Sequence, residues 1–129
     1  MESTFEASVP GTPLGVRMVR SEMTALAAGC GMDANAVADV GLAVTEAATN
    51  AVMHAYAAAE GELTVSAVAR DGALEIVIGD AGTGFVEARD SPGLGVGLSI
   101  IATVAERLRI VSNPGGTEIH MAFPCPKAV

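Results

Sequence analysis

Three polar residues, Glu46, Asn50 and His54, recur four apart in the run Gly41 to Tyr56, which is otherwise almost entirely small and apolar. At that spacing all three share one face of a helix. A carboxylate and an amide in such a setting require partners, because an unpaired buried polar group costs about 1–3 kcal/mol. A Glu carboxylate can act as general base on a water or a hydroxyl. An Asn carbonyl oxygen is a hard ligand of the kind Mg2+ accepts, an ion that keeps several waters and bridges phosphates. A solvated helix edge accounts for Glu46 and Asn50 equally well, and His54 reads more naturally as a helix-end or interface residue than as a ligand.

Two glycine-rich segments lie downstream. Asp80-x-Gly82-x-Gly84 directly follows an apolar alternating stretch. Glycines there let the backbone approach a flat ligand closely, and the Asp80 carboxylate can accept a hydrogen bond from an exocyclic amine such as that of adenine. The segment lacks the further acidic ligands and terminal Glu of a calcium loop. Gly93-x-Gly95-x-Gly97 opens the next helical pattern, where bare amides and the helix dipole favour an anion. It is not a P-loop, since no Lys-Ser or Lys-Thr follows, and without a strand leading into it it is a poor dinucleotide fingerprint. Taken alone, each segment is also explained as an ordinary turn or helix lead-in. Thr117, after Gly115-Gly116, is placed to bond a base or simply to start a strand.

The elements that must position these residues follow from periodicity. Thr4 to Val9 alternates as a strand, and Pro10-Gly11-Thr12-Pro13 turns the chain. Val16, Val19, Met23, Leu26 and Ala27 recur at helical spacing, and Gly29-Cys30-Gly31 ends that helix. Asp33 is a suitable N-cap for a second helix running to about Tyr56. Leu63 to Ala67 and Leu74 to Ile78 alternate on either side of Asp71-Gly72, a strong hairpin signal. A third helix is expected to bury Leu94, Leu98, Ile101, Ala105 and Leu108. Arg109 to Ser112 and Thr117 to Phe123 then read as strands around the turn Asn113-Pro114-Gly115-Gly116. The order β-α-α-β-β-α-β-β predicts an α+β fold, a two-layer sandwich with helices on one face of a mixed, mostly antiparallel sheet.

Composition narrows the classes. A chain of 129 residues suits a single domain over 1–129 and buries roughly two-thirds of its unfolded surface. Half the residues are hydrophobic and Trp is absent, so Ala, Val, Leu, Ile and Met must make the core. A net charge of −8 with scattered basic residues argues against nucleic acid as a main partner. No apolar run is long enough for a membrane span. The acidic start Met1 to Glu6 lacks the order of a signal peptide, so a cytoplasmic protein is expected. Cys30 and Cys125 stand near opposite ends of the chain with no metal spacing, which reads as free thiols in a reducing compartment.

The motifs gain specificity from their order: a helix with Glu46-x-x-x-Asn50, a strand ending in Asp80-x-Gly82-x-Gly84, Gly93-x-Gly95-x-Gly97 opening a helix, then Gly116-Thr117 opening a strand. From about Phe5 to Phe123 this set resembles the histidine-kinase-like (GHKL) ATP-binding domain, the Bergerat fold of DNA gyrase, mismatch-repair ATPases, sensor histidine kinases and a heat-shock chaperone. The short form and the run Val44 to Tyr56 look like the anti-sigma-factor serine/threonine kinases. The resemblance implies ATP and Mg2+ as cofactors, Asn50 holding the metal, and Glu46 acting as base on the substrate hydroxyl. It implies that Asp80 reads the adenine amine with Thr117 close by, and that Gly82, Gly84, Arg89, Gly93, Gly95, Val96, Gly97 and Leu98 complete the nucleotide set. It further implies phosphorylation of a Ser or Thr on an anti-anti-sigma (STAS-domain) protein, sequestration of a sigma factor, and a homodimer.

One departure is informative. The lid between the glycine boxes, Val86 to Pro92, is short, and Arg89 is its one basic residue. Phosphoryl transfer needs positive charge at the transferring group, so a short lid favours the alternative of a nucleotide-dependent binding module. The intact Glu46 favours a kinase, since a pure binder needs no base. A scaffold without nucleotide and a detached histidine-kinase catalytic domain fit less well.

Overall fold

A computed structural model describes residues 3–55, 61–80, 94–113 and 116–127. The elements run β1 (Ser3–Pro10), α1 (Pro13–Gly29), α2 (Ala34–Ala55), β2 (Glu62–Arg70), β3 (Ala73–Asp80), α3 (Leu94–Val104), β4 (Arg107–Asn113) and β5 (Gly116–Pro124). The strands form one sheet in the order β1-β2-β3-β5-β4. Each of these pairings is antiparallel, so the parallel component expected of a mixed sheet is missing among the described residues. The element order and the helix-on-sheet layering are as expected.

Local chemistry explains the boundaries. Thr12 caps α1 by accepting from the Gly15 amide at 3.2 Å, and Pro13 supplies a helix-ready φ at the first position. Asp33 caps α2 as expected, its carboxylate accepting from the Ala36 amide at 2.8 Å. At the β2–β3 hairpin Asp71 and Gly72 have φ values of 53° and 77°, the left-handed pair that matches the twist of the flanking strands. Gly15 is required for another reason: a Cβ there would run into the Pro10 carbonyl and press on Val9. The first turn of α1 therefore lies directly against the end of β1.

The core lies between the sheet and the helices. Val16, Val19, Met23 and Ala27 of α1 are buried with Val40, Ala43, Val44, Ala47, Ala48 and Ala51 of α2. They cover Leu63, Val65, Leu74, Ile76, Ile78, Ile119, Met121 and Phe123 of the sheet, with Ile101 from α3. Small residues let α2 approach both α1 and the strands, which is how a core without Trp reaches close packing. Each fully buried Leu, Ile or Met contributes about 1.5–3 kcal/mol by leaving water. The opposite face of the sheet is polar, with Arg107 near Glu75 at 3.7 Å and His120 bonded to Glu118 at 3.0 Å.

Two expectations need correction. The third helix does not carry Ala105 and Leu108. Its last turn closes with the Ala105 amide on Ile101, and the Glu106 amide then bonds the Ala122 carbonyl at 2.9 Å. Edge pairing captures the chain there, so Leu108 faces Met121 from β4. The cysteines are not free thiols: Cys30 and Cys125 form a disulfide, with Cα atoms 5.3 Å apart across a separation of 95 residues. Folding brings the end of α1 beside the end of β5, a proximity that linear spacing hides. No helix among the described residues is long and apolar enough to cross a membrane.

Candidate nucleotide site

Glu46 and Asn50 lie on successive turns of α2. Asn50 is buried at 8% exposure among Ala47, Ala48 and Ala51, while Glu46 is half-buried. The Asn50 Nδ2 is buried without a hydrogen-bond partner. An uncompensated amide of this kind costs about 1–3 kcal/mol, and such a cost is retained where a site awaits something polar. His54 lies within α2, and its side chain is outside the described residues.

The ends of two central strands supply the next pair. Asp80 closes β3 and Thr117 begins β5, and the two are directly opposed in the ladder. Ile76 and Ile78 of β3 and Ile119 and Met121 of β5 are buried beneath the helices. By strand alternation Asp80 and Thr117 point to that same side. Thr117 is 5% exposed and its hydroxyl lies 3.4 Å from that of Ser112. A half-buried carboxylate beside a buried hydroxyl, at one end of the sheet, is a place where a flat heterocycle with an exocyclic amine can be recognised.

Gly95, Val96 and Gly97 lie in the first turn of α3, the stretch whose amides a helix leaves without intrahelical partners. That placement agrees with an anion-facing helix start. Leu98 is half-buried and packs against the core, so it holds α3 in place. Gly82, Gly84, Arg89 and Gly93, with the lid Val86 to Pro92, lie outside the described residues.

The donor set fits a hard divalent ion with triphosphate. Among the described residues no three His, Cys, Asp or Glu side chains gather into a metal cage. Mg2+ keeps several waters and asks little of the protein, so a single side-chain oxygen would suffice to hold it beside a phosphate. The Asn50 side-chain oxygen would be the protein's ligand, and its Nδ2, buried without a partner, would donate to an acceptor such as a phosphate oxygen.

Arg20 of α1 is exposed, and its guanidinium reaches α2, donating to the Gly41 carbonyl at 3.2 Å and the Thr45 hydroxyl at 3.1 Å. The signal was the coincidence of a small residue and a hydroxyl on α2, visible only once the helix pairing is known. This bond sits one position before Glu46 and braces the helix that carries it.

The chain is similar to known proteins in both sequence and fold. The histidine kinase-like ATPase domain family matches residues 9–123. The serine-protein kinase RsbW of Listeria monocytogenes serovar 1/2a is 32% identical over 112 residues, covering 85% of this chain and 69% of the relative. RsbW of Bacillus licheniformis is 30% identical over 129 residues, covering 88% and 81%. Among solved structures, the RsbU and RsbW domains of Rv1364c from Mycobacterium tuberculosis superpose with a TM-score of 0.74 at 25% identity, covering 95% of this chain and 32% of that one. A blue-light activated histidine kinase from Erythrobacter litoralis shares the fold, with a TM-score of 0.62 at 22% identity. The chain belongs to the histidine kinase-like ATPase family and, within it, to the anti-sigma-factor serine-protein kinases of the RsbW type.

Proposed function

We propose that residues 1–129 act as a single ATP- and Mg2+-dependent serine/threonine protein kinase domain, working in the cytoplasm in partner switching. Its substrate would be a Ser or Thr of an anti-anti-sigma STAS-domain protein, and its second partner a sigma factor, bound by a homodimer. The observation that carries this reading is the pair on α2: a buried Asn50 whose amide lacks a partner, one turn from a half-buried Glu46. The kinase names of the relatives support it.

Each residue has a role in this reading. Asn50 holds the metal through its side-chain oxygen, and Asp80 accepts from the adenine amine with the Thr117 hydroxyl beside it. Gly95 and Gly97 let the α3 amides approach the phosphates, with Gly82, Gly84, Arg89 and Gly93 on the approach to α3. Bound ATP with Mg2+ supplies the phosphoryl group and neutralises its charge. Glu46 accepts the proton of the partner's hydroxyl at its carboxylate, one turn from the metal-holding amide. The brace from Arg20 to Thr45 holds that turn in register.

The short lid, with Arg89 as its one basic residue, favours a second reading: nucleotide sets affinity for a partner without efficient transfer. Incubating the captured STAS-type partner with γ-labelled ATP separates the two. Label on the partner's Ser or Thr supports the kinase; stable capture dependent on nucleotide but without label supports the binding module.

A further inference from the structure

The disulfide belongs to no part of the nucleotide site. Cys30 caps the C-terminal end of α1 and Cys125 follows the last residue of β5. Both backbones are held in place by bonds that do not depend on sulfur. The Cys30 amide bonds the Leu26 and Ala27 carbonyls, its carbonyl receives the Lys127 amide at 3.0 Å, and the Cys125 amide bonds the Gly72 carbonyl at 2.8 Å. The Cys125 sulfur also lies 3.8 Å from the Cys30 carbonyl. The Cα atoms are 5.3 Å apart, within the range that a disulfide spans without moving backbone. Backbone bonds independent of the sulfurs thus fix both cysteines where a disulfide can form.

Burial controls access. Cys30 is 6% exposed and Cys125 2%. A small reductant or disulfide therefore reaches the sulfurs through an opening of the fold. The segment after β5 is held to the end of α1 by the Lys127–Cys30 backbone bond, and lifting it is the smallest such opening.

We propose that Cys30 and Cys125 form a reversible redox latch that fastens the C-terminal end of the sheet to the α1–α2 corner and so sets the stability of the whole chain. A low-molecular-weight disulfide closes it: one cysteine thiolate attacks a sulfur of RS–SR and releases RS⁻. The second cysteine thiolate then attacks the mixed disulfide and releases another RS⁻. Two protein thiols are oxidised, one disulfide is reduced, and two RSH result once protons are counted. A dithiol reverses it. The closed ring contains α2, β2, β3, α3, β4 and β5 and leaves β1 and α1 outside. Closing so long a loop removes much entropy from the unfolded chain. Thr117 sits at the other end of β5, about 26 Å from Cys125 at the usual rise per strand residue. The latch therefore acts on stability and leaves the nucleotide side chains untouched.

The test uses the full chain without nucleotide, so it stands apart from the kinase reading. Protein equilibrated with oxidised glutathione should show no titratable thiol after denaturation, remain monomeric on a non-reducing gel and be lighter by two hydrogens. Dithiothreitol should return both thiols and lower the melting temperature by about 10 °C, and reoxidation should restore it. Cys125→Ser should melt near the reduced protein and ignore the redox buffer. Two thiols persisting in oxidised glutathione, mixed or intermolecular disulfides alone, failure to reclose, or equal melting of the two states would each overturn the latch. Chemical reduction of the wild type decides the matter even if the Ser variant does not fold.

Discussion

Asp80 stands directly opposite Thr117 where β3 and β5 meet at the end of the sheet. The strands that bear them bury Ile78 and Ile119 beneath the helices. A carboxylate and a hydroxyl are thus held side by side by the ladder, whose opposed Cα atoms lie about 4.5–5.5 Å apart. In the proposed site this pair reads the base. Wild type should bind ATP at least about 10-fold more tightly than ITP, which lacks the exocyclic amine, because a lost bond to a charged group is worth about 1.5–3 kcal/mol. Asp80→Asn should weaken ATP by about 10- to 100-fold and erase the preference. Calorimetric titration of both nucleotides checks this, and an unchanged preference would remove Asp80 from base recognition.

Glu46 is one turn from Asn50, half-buried where Asn50 is buried. Glu46→Gln keeps shape and hydrogen bonding but removes the proton acceptor. ATP affinity should stay within about twofold, while label transfer to the partner falls by about 10²–10⁴-fold, the usual worth of a positioned base. Transfer at the wild-type rate in single-turnover assays would leave Glu46 with a structural role only.

Gly15 packs the start of α1 onto the Pro10 carbonyl. A Cβ there must displace backbone rather than a flexible side chain. Gly15→Ala should cost about 1–3 kcal/mol, as overpacking does, seen as a lower urea midpoint at unchanged slope. An equal or higher midpoint would mean that α1 shifts freely from β1.

Much of this arrangement was legible because it is written in short-range chemistry. Asp71-Gly72 encodes a hairpin, Asp33 a helix start, and Val16, Val19, Met23 and Ala27 a buried stripe, and each stands where its residue types require. The glycine boxes and the Glu46–Asn50 spacing were legible as motifs, and the fold brings Asp80 beside Thr117. What escaped was set by tertiary partners. Leu108 suits a helix stripe and a strand equally, and pairing with Met121 decided between them. Arg20 is exposed, yet its bond to the Gly41 carbonyl appears only once α1 and α2 are paired. Cys30 and Cys125 meet only through the register of β5 against the end of α1.

Asn50 joins stability to function. Its unpartnered Nδ2 weighs against the folded state unless a ligand acceptor takes its hydrogen bond, so Asn50→Ala, which removes the orphaned group, should melt at or above wild type without ligand. The most direct measurement is the melting temperature of wild type and Asn50→Ala with and without ATP and Mg2+. At ligand concentrations about 100-fold above Kd, wild type should gain about 2.7 kcal/mol, a rise of several degrees, and Asn50→Ala should gain nothing. A wild type that does not shift, or a variant that shifts as much, would contradict the account of this chain as a nucleotide-binding kinase domain centred on Asn50.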